Sequence, residues 1–566
     1  MRCRFLQYAL QEEIKMKFII KAVSAIVSFF LMVFPCLQTL INDITVDFQI
    51  NTAEVGDEMG NLMQSVNVWE MGTTFINAEN NKENDIFEFV EYVQLMQCSG
   101  GNAQRDLFKD PYNTEVLDDY DFTRLLDNCA GILRLGAKPH LKLGNVPMKY
   151  TKEYVLGGFE VNVYPPDDYN VYYNYIAALA QALVDRFGAE EVLTWRFGVM
   201  TEYENADWFM AKSGEPAESA QEFCKLYDYT VQALIDVIGE DVCVGAHSMT
   251  VTEGLWDEHI FLDHLVTGTN YANGKTGSKV NFLTASFYDS NPGHFTEGHT
   301  LPETVACLKS YAESIGLTDL FYGVDEGRIL SGNIAGGGDS QLLNRTTGYT
   351  WQGAYDARLW MQSADSGLSY FSSWGYLSNS LFDGNPTVSY HVAKLFAGFE
   401  GMQRINVDGE KKMLLPIGSE AKALAAVDPE NGNIRIMAYS FRNDVQATGA
   451  VNMNFNINLP DGEYKTVRYY IDDNCNYFDE WLVDREKYNI TDDCFSWSPE
   501  DPCIDSSVTL SAQWARDIYF NELRPVYAEK SVLVPVEETV TVTDGSLVFD
   551  ENIPLNTVLF MDIIPA

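Results

Sequence analysis

Histidine is scarce in this chain, with 7 among 566 residues, and none of them forms a helical ligand pair. The ten cysteines include no Cys-x-x-Cys pair, so a zinc ribbon or a thioredoxin-type motif has no support. No metal and no cofactor is therefore expected. Positive charge is also in short supply: 38 Lys plus Arg stand against 81 Asp plus Glu, a formal −43. A surface that negative repels phosphate backbones, which argues against nucleic acid and against polyanionic substrates. No Gly-rich phosphate turn follows the first expected strand, and nothing beyond residue 34 is long and apolar enough to span a bilayer. Aromatic residues, by contrast, are plentiful. Ten Trp, 31 Tyr and 32 Phe exceed what a core strictly needs and permit a site that stacks neutral ligands.

Lys15, Lys17 and Lys21 flank an apolar run from Phe18 to Phe34 that breaks at Pro35. This is the pattern of a secretory signal, with Met1 or Met16 as its start. It predicts a secreted or cell-surface protein. An uncleaved membrane anchor is the alternative, since no Ala-x-Ala site follows, and it is the one expected route to a membrane. The remaining cysteines are scattered, and buried thiols with one or two disulfides are expected of an exported chain.

The expected domains are 1–41 as signal or anchor, 42–64 as a lead-in, 65–398 as a barrel and 399–566 as a β-sandwich. From about Ser65 to Leu377, strand and helix signals alternate. Short apolar runs recur at Val66–Trp69, Phe89–Gln97, Pro139–Val146, Val192–Val199, Val242–Ala246, Phe282–Tyr288, Leu320–Val324 and Gly367–Trp374. Between them lie helical periods at Tyr169–Phe187, Ala217–Ile238, Pro302–Ile315 and Trp351–Ser363. Eight such units over 250–350 residues predict a (β/α)8 barrel, fold class α/β. After Phe399 the texture changes to apolar-polar alternation at Ile434–Phe441, Val451–Leu459, Thr466–Asp472, Ser531–Val536 and Thr539–Val542, with turns at Asn431-Gly432, Asp461-Gly462 and Asp544-Gly545. This predicts an all-β sandwich, to which the early run Ile44–Ile50 is a candidate extra strand.

Active sites of such barrels lie at the C-terminal strand ends. The fourth run, Thr194-Trp-Arg-Phe-Gly-Val-Met-Thr-Glu-Tyr-Glu, carries Glu202 and Glu204 to its mouth, and the seventh, Leu320-Phe-Tyr-Gly-Val-Asp-Glu-Gly, carries Asp325 and Glu326. Two carboxylates flanking one bond are what glycoside hydrolysis needs: one protonated to assist departure, the other ionised to attack. The bland reading is that acidic loops carry Glu anyway. Glu204 shares a face with Glu202 in an ideal strand and is the runner-up acid.

The stretches Lys138-Pro-His-Leu-Lys-Leu-Gly, Val163-Tyr-Pro-Pro-Asp-Asp-Tyr, Leu183-Val-Asp-Arg-Phe-Gly-Ala-Glu-Glu-Val-Leu-Thr-Trp-Arg-Phe, Leu226-Tyr-Asp-Tyr-Thr and Gly367-Leu-Ser-Tyr-Phe-Ser-Ser-Trp occur in a telling order. Together they resemble glycoside hydrolase family 39, which includes β-xylosidases and α-L-iduronidases. The resemblance covers most of Ser65–Gly398. It implies a retaining mechanism with Glu202 as general acid/base and Glu326 as nucleophile. It also marks departures: Thr201 replaces the Asn that usually precedes the acid, Ser286 replaces a His on the sixth strand, and Gly327 replaces a Trp after the nucleophile. These changes imply altered recognition of the sugar.

Further candidates for substrate binding are Tyr288, Trp374, Asn145 and His247, the last equally at home in a structural role. The Gly-rich stretch Ser331–Ser340 reads as a loop over the site. The leading expectation is an exported retaining glycosidase, exo-acting on a neutral sugar of an oligo- or polysaccharide in the manner of a xylosidase or arabinofuranosidase. A uronic acid is disfavoured unless Arg328 or Lys142 anchors it. The alternative is a non-catalytic carbohydrate-binding surface protein on the same barrel.

Overall fold

The computed structural model describes residues 44–68, 71–72, 74–77, 85–250, 254–288, 300–328, 349–373, 385–411, 419–445, 447–496, 509–510 and 512–566. Trp374, the Phe18–Phe34 segment and the stretch Ser331–Ser340 lie outside them.

β1 (Ile44–Glu58) is followed by eight strands: β2 (Ser65–Val68), β3 (Tyr92–Leu95), β4 (Lys138–Leu143), β5 (Arg196–Val199), β6 (Cys243–Ser248), β7 (Phe282–Tyr288), β8 (Phe321–Arg328) and β9 (Tyr370–Ser373). These eight pair in parallel, each with its sequence neighbour, and β2 returns to β9 at Val66 and Ser373, closing a barrel. Strands of such a barrel are covered on both sides, which is why they read as continuous apolar runs rather than alternations. β7 is buried at all seven positions.

The covering helices include α1 (Thr123–Arg134), α2 (Tyr169–Phe187), α3 (Pro216–Ile238), α4 (His259–Thr267), α5 (Leu301–Ser314), α6 (Thr350–Asp365) and α7 (Val388–Ala397). Their starts are chemically marked. Asp168 accepts the backbone N–H of Asn170 at α2, and Thr300 and Glu303 form a reciprocal capping box at α5. Pro216 opens α3, where a missing N–H goes unnoticed. The fourth strand is shorter than its apolar run, because Ala189–Val192 forms a helical turn and only Arg196–Val199 pairs.

Beyond the barrel lie β10 (Gln403–Lys411), β11 (Ser419–Val427), β12 (Ile434–Arg442), β13 (Ala450–Asn458), β14 (Gly462–Ile471), β15 (Phe495–Ser496), β16 (Thr509–Leu510), β17 (Val536–Val542), β18 (Ser546–Pro554) and β19 (Val558–Pro565). Nine strands form one sheet in the order β17-β14-β19-β12-β11-β10-β1-β13-β18. The sheet curls into a sandwich: Arg468 and Tyr470 of β14 reach Glu551 of β18, although the two strands are far apart in that order. β1 sits inside it, antiparallel to β10 and parallel to β13.

Two expectations are corrected here. Ser531–Val536 is not a strand; pairing starts only at Val536. Nor is this domain all β. Between β14 and β17 it carries helices at Phe478–Lys487, Gln513–Ile518 and Arg524–Lys530, packed around Trp481, Tyr519 and Tyr527. This insertion rests on the barrel at the C-terminal ends of its strands. Tyr349, at the end of the segment following β8, packs its ring on Phe478 at 4.7 Å. Asn385, in the segment following β9, donates to the Arg524 carbonyl at 2.8 Å. Among the described residues, Cys98, Cys129, Cys224, Cys243, Cys307, Cys475 and Cys494 are free thiols, so the expected disulfides are not found there.

Candidate active site

β5 ends at Val199, and the next turn is strained. Met200 has φ 66° and Glu202 has φ 48°, both in the left-handed region that disfavours side chains other than glycine's. Such strain persists only where the surroundings over-determine it, and it clusters at functional turns. Here it turns the Glu202 carboxyl to the barrel mouth. Oε2 accepts from Asn205 Nδ2 and Oε1 from the Ser286 hydroxyl, each at 2.7 Å, and Trp208 contributes a further side-chain hydrogen bond. Burial pushes this carboxyl's pKa above the ordinary range, and these donors only partly offset it. Glu202 is therefore suited to hold a proton.

Glu326 reaches the same mouth by a different device. Alternation would send neighbouring residues to opposite faces. The pairing of β7 with β8 slips between Ala285 and Ser286, so that Ser286 faces Glu326 and Asp325 becomes the extra residue of a bulge. Asp325 can then point into the barrel while Glu326 takes a hydrogen bond from the Tyr288 hydroxyl. Ser286 and Tyr288 lie two residues apart on one face of β7, which spans about 6.6 Å. Each donates to one glutamate, so a single strand edge brings the two carboxyls of the expected pair together.

Below them is a buried polar layer. Lys142 and Asp325 form an ion pair with neither side chain exposed. Asp325 also accepts from Thr284 at 2.7 Å and from Tyr370. Burial alone would raise the Asp325 carboxyl, but the Lys142 ammonium beside it holds it well below its ordinary value. Lys142 is therefore already paired with a protein carboxylate and is not an open anchor for a uronic acid. His140 and His247 are fully buried and driven neutral by desolvation, His140 down to about 3. His247 Nε2 lies 2.9 Å from the Ser286 hydroxyl, behind the glutamate that Ser286 holds.

The other expected residues divide. Thr201 is buried in the strained turn beside Glu202. Asn145 is buried at the end of β4, where its carbonyl accepts from Ser99 and its Nδ2 has no partner among the described residues. The arrangement differs for Glu204. With Met200 and Glu202 left-handed, strand periodicity no longer applies, and Glu204 turns away from Glu326 to accept from Ser248 at 2.6 Å and from the Met249 backbone at 2.8 Å. It braces the loop after β6. Two residues escaped sequence reasoning. Ser286 appeared only as a missing His, and Gln97 just after β3 is buried with φ 56° and an amide unpartnered among the described residues.

One mixed cluster lies outside the mouth: Glu258, His259 and Cys307 bring potential ligand atoms within 4.8 Å of one another. Each already has a protein partner, since the thiol donates to Glu258 at 3.0 Å and the imidazole meets the Cys307 carbonyl at 3.1 Å. A cavity of about 1450 Å³ also opens away from the chemistry, at the opposite barrel end beside β1 and Arg196.

A closed parallel barrel with an acid pair at its C-terminal mouth and a β-sandwich at its side defines a class of carbohydrate-processing architecture. The family model of the glycosyl hydrolases family 39 matches residues 107–448, and the chain belongs to that family. A β-xylosidase of Geobacillus stearothermophilus is 28% identical over 139 residues, which is 23% of this chain and 26% of that protein. One from Caldicellulosiruptor saccharolyticus is 31% identical over 129 residues, 23% of this chain and 25% of its own. The matched part thus spans about a quarter of the length of these curated relatives. Among solved structures, a bacterial orthologue of human α-L-iduronidase is similar in fold, with a TM-score of 0.63 at 14% identity, covering 92% of this chain and 84% of the other. A monomeric β-xylosidase from Caulobacter crescentus gives 0.60 at 16% identity, covering 92% and 99%.

Proposed function

We propose that this protein is an exported glycoside hydrolase that acts with retention on a neutral sugar at a chain end, xylosidase- or arabinofuranosidase-like. The observation that carries the reading is the pair of β7 hydroxyls, Ser286 and Tyr288, each donating to one glutamate. Glu326 attacks the anomeric carbon while Glu202 gives its proton to the departing oxygen, leaving a glycosyl-enzyme ester. Glu202, now ionised, takes a proton from water, whose oxygen attacks the same carbon and releases Glu326. The raised pKa of buried Glu202 favours the protonated start of this cycle. A neutral glycone agrees with the Lys142–Asp325 pairing. Action at chain ends agrees with the helical insertion, which packs on the segments following β8 and β9. Export rests on the Phe18–Phe34 segment alone.

The test is hydrolysis of aryl β-xyloside, α-L-arabinofuranoside, β-galactoside, β-glucoside and α-L-iduronide, with the product anomer followed by NMR. One neutral substrate should be cleaved with retention, and Glu202→Ala should lower kcat about 10²–10⁴-fold. Glu326→Ala should abolish turnover. Inversion, or activity surviving in both variants, overturns the mechanism. Sugar binding with no turnover on any substrate would favour a carbohydrate-binding protein instead.

A further inference from the structure

Glu202 must be satisfied both protonated and ionised, and its partners are not equivalent. The Asn205 Oδ1 accepts from the Asp207 backbone N–H at 2.9 Å, which fixes its Nδ2 toward Glu202 as a donor. The Trp208 indole N–H, which also bonds this carboxyl, can only donate. Ser286 alone among these partners carries a hydroxyl, which both donates and accepts. Behind it stands His247 Nε2 at 2.9 Å, and the other ring nitrogen, Nδ1, lies 3.9 Å from Asp325 Oδ2.

We propose that Ser286 and His247 form a reversible hydrogen-bond relay that keeps Oε1 of Glu202 partnered in both of its protonation states. The proposal rests on Glu202 being the acid/base. With Glu202 ionised, the Ser286 O–H donates to Oε1 and the His247 Nε2–H donates to Ser286 Oγ. With Glu202 protonated and no substrate bound, Oε1–H donates to Ser286 Oγ, the Ser286 O–H turns to Nε2, and the imidazole carries its hydrogen on Nδ1, facing the Asp325 carboxylate. The two arrangements differ by one proton drawn from solvent water. The Nε2 hydrogen passes to Oγ, the Oγ hydrogen passes to Oε1, and the added proton resides on Nδ1. The imidazole stays neutral throughout, as its complete burial requires.

The charged and titratable groups around this chain come from every side: Lys142 and His140 on β4, His247 on β6, and Asp325 and Glu326 on β8. Of these, Lys142 and Asp325 neutralise each other within the barrel. Ser286 and His247 are thus positioning residues, acting on the substrate only through Glu202. A lysine or arginine in the place of Ser286 would serve the ionised state alone, whereas a hydroxyl backed by a neutral imidazole serves both.

The test is a pH titration of the full chain labelled with ¹⁵N-histidine and with ¹³C at the glutamate carboxyl. In the wild type, the His247 ring nitrogens should exchange protonated and unprotonated shifts at the midpoint where Glu202 titrates. In Ser286→Ala that coupling should vanish, and the Glu202 midpoint should rise by about one unit, because the ionised form loses a charge-assisted donor while the protonated form loses only a weaker neutral acceptor. Ser286→Thr, which keeps the hydroxyl, should restore the coupling. His247 shifts that stay flat while Glu202 titrates would overturn the relay. So would a Ser286→Ala midpoint equal to the wild type's in a folded protein. These signals need no turnover, so an inactive protein would count against the hydrolase reading and leave the relay decided by its own result. In an active protein, the alkaline limb of kcat/KM should move upward with the same midpoint in Ser286→Ala. A fall in kcat with an unmoved limb would mark Ser286 as mere packing and likewise refute the relay.

Discussion

Glu204 is a carboxyl that the fold keeps from water, and burial raises its pKa to about 8. Asp106, buried while accepting the Gly101 and Met148 backbone N–H groups, is raised to about 7. Both carry a proton in the folded state at a pH where the unfolded chain has released it. Their contribution to stability is then fully present below the ordinary carboxylate range, is lost steadily as pH climbs above it, and is gone once pH has passed about 7 for Asp106 and about 8 for Glu204. The melting temperature should fall across that window, and Glu204→Gln, which cannot ionise, should flatten the decline. An undiminished slope in that variant would contradict the assignment. Residues such as Glu204 also mark where reading a sequence stops. Glu202 and Glu326, which the β7 hydroxyls hold at the barrel mouth, stood out in the sequence because a motif order carried them. The opposite aims of Glu202 and Glu204 were not legible there, because they depend on the left-handed backbone at Met200 and Glu202.

Among elements, β7 was legible in full: the run Phe282–Tyr288 keeps its expected bounds, and all seven of its residues are buried. The slip beside it was not: nothing in Asp325-Glu326 says which of two adjacent acids is the extra residue, and only pairing with Ser286 decides it. Ser531–Val536 misled for an instructive reason. Its valines do alternate, but Val532, Val534 and Val536 are exposed at 54%, 68% and 48%, so the apolar face looks outward. Alternation describes a pattern and not its partner. A helix-level prediction follows from α1, which presses on the short turn Thr74–Asn77. A Cβ at Gly131 would lie 1.8 Å from the Phe75 carbonyl oxygen, a backbone atom that cannot rotate aside. Gly131→Ala gains about 1 kcal/mol of helix propensity but should lose about 1–3 kcal/mol to overpacking. A lowered urea midpoint checks the sign, and a raised one would mean the turn yields freely.

For the whole molecule, the placement of β1 governs what can be separated. It lies within the accessory sheet, yet its end at Glu58 runs almost directly into the first barrel strand at Ser65. Removing residues 44–58 should therefore strip β10 and β13 of their common neighbour and expose Val46, Phe48 and Ile50's side of the core. The shortened protein should melt lower and bind a hydrophobic dye. An unchanged melting curve would mean the sheet closes without its early strand.

The same strand sets a timetable for synthesis. Val46 pairs with Lys411, so about 360 residues must emerge before β1 meets its first partner. At about 5–20 residues per second the wait is on the order of 20–70 s. Through that interval a sticky ribbon leads the nascent chain while the barrel assembles behind it. A chaperone that shields exposed strands should therefore matter more for the yield of this protein than for that of a barrel whose accessory sheet is built from one contiguous stretch.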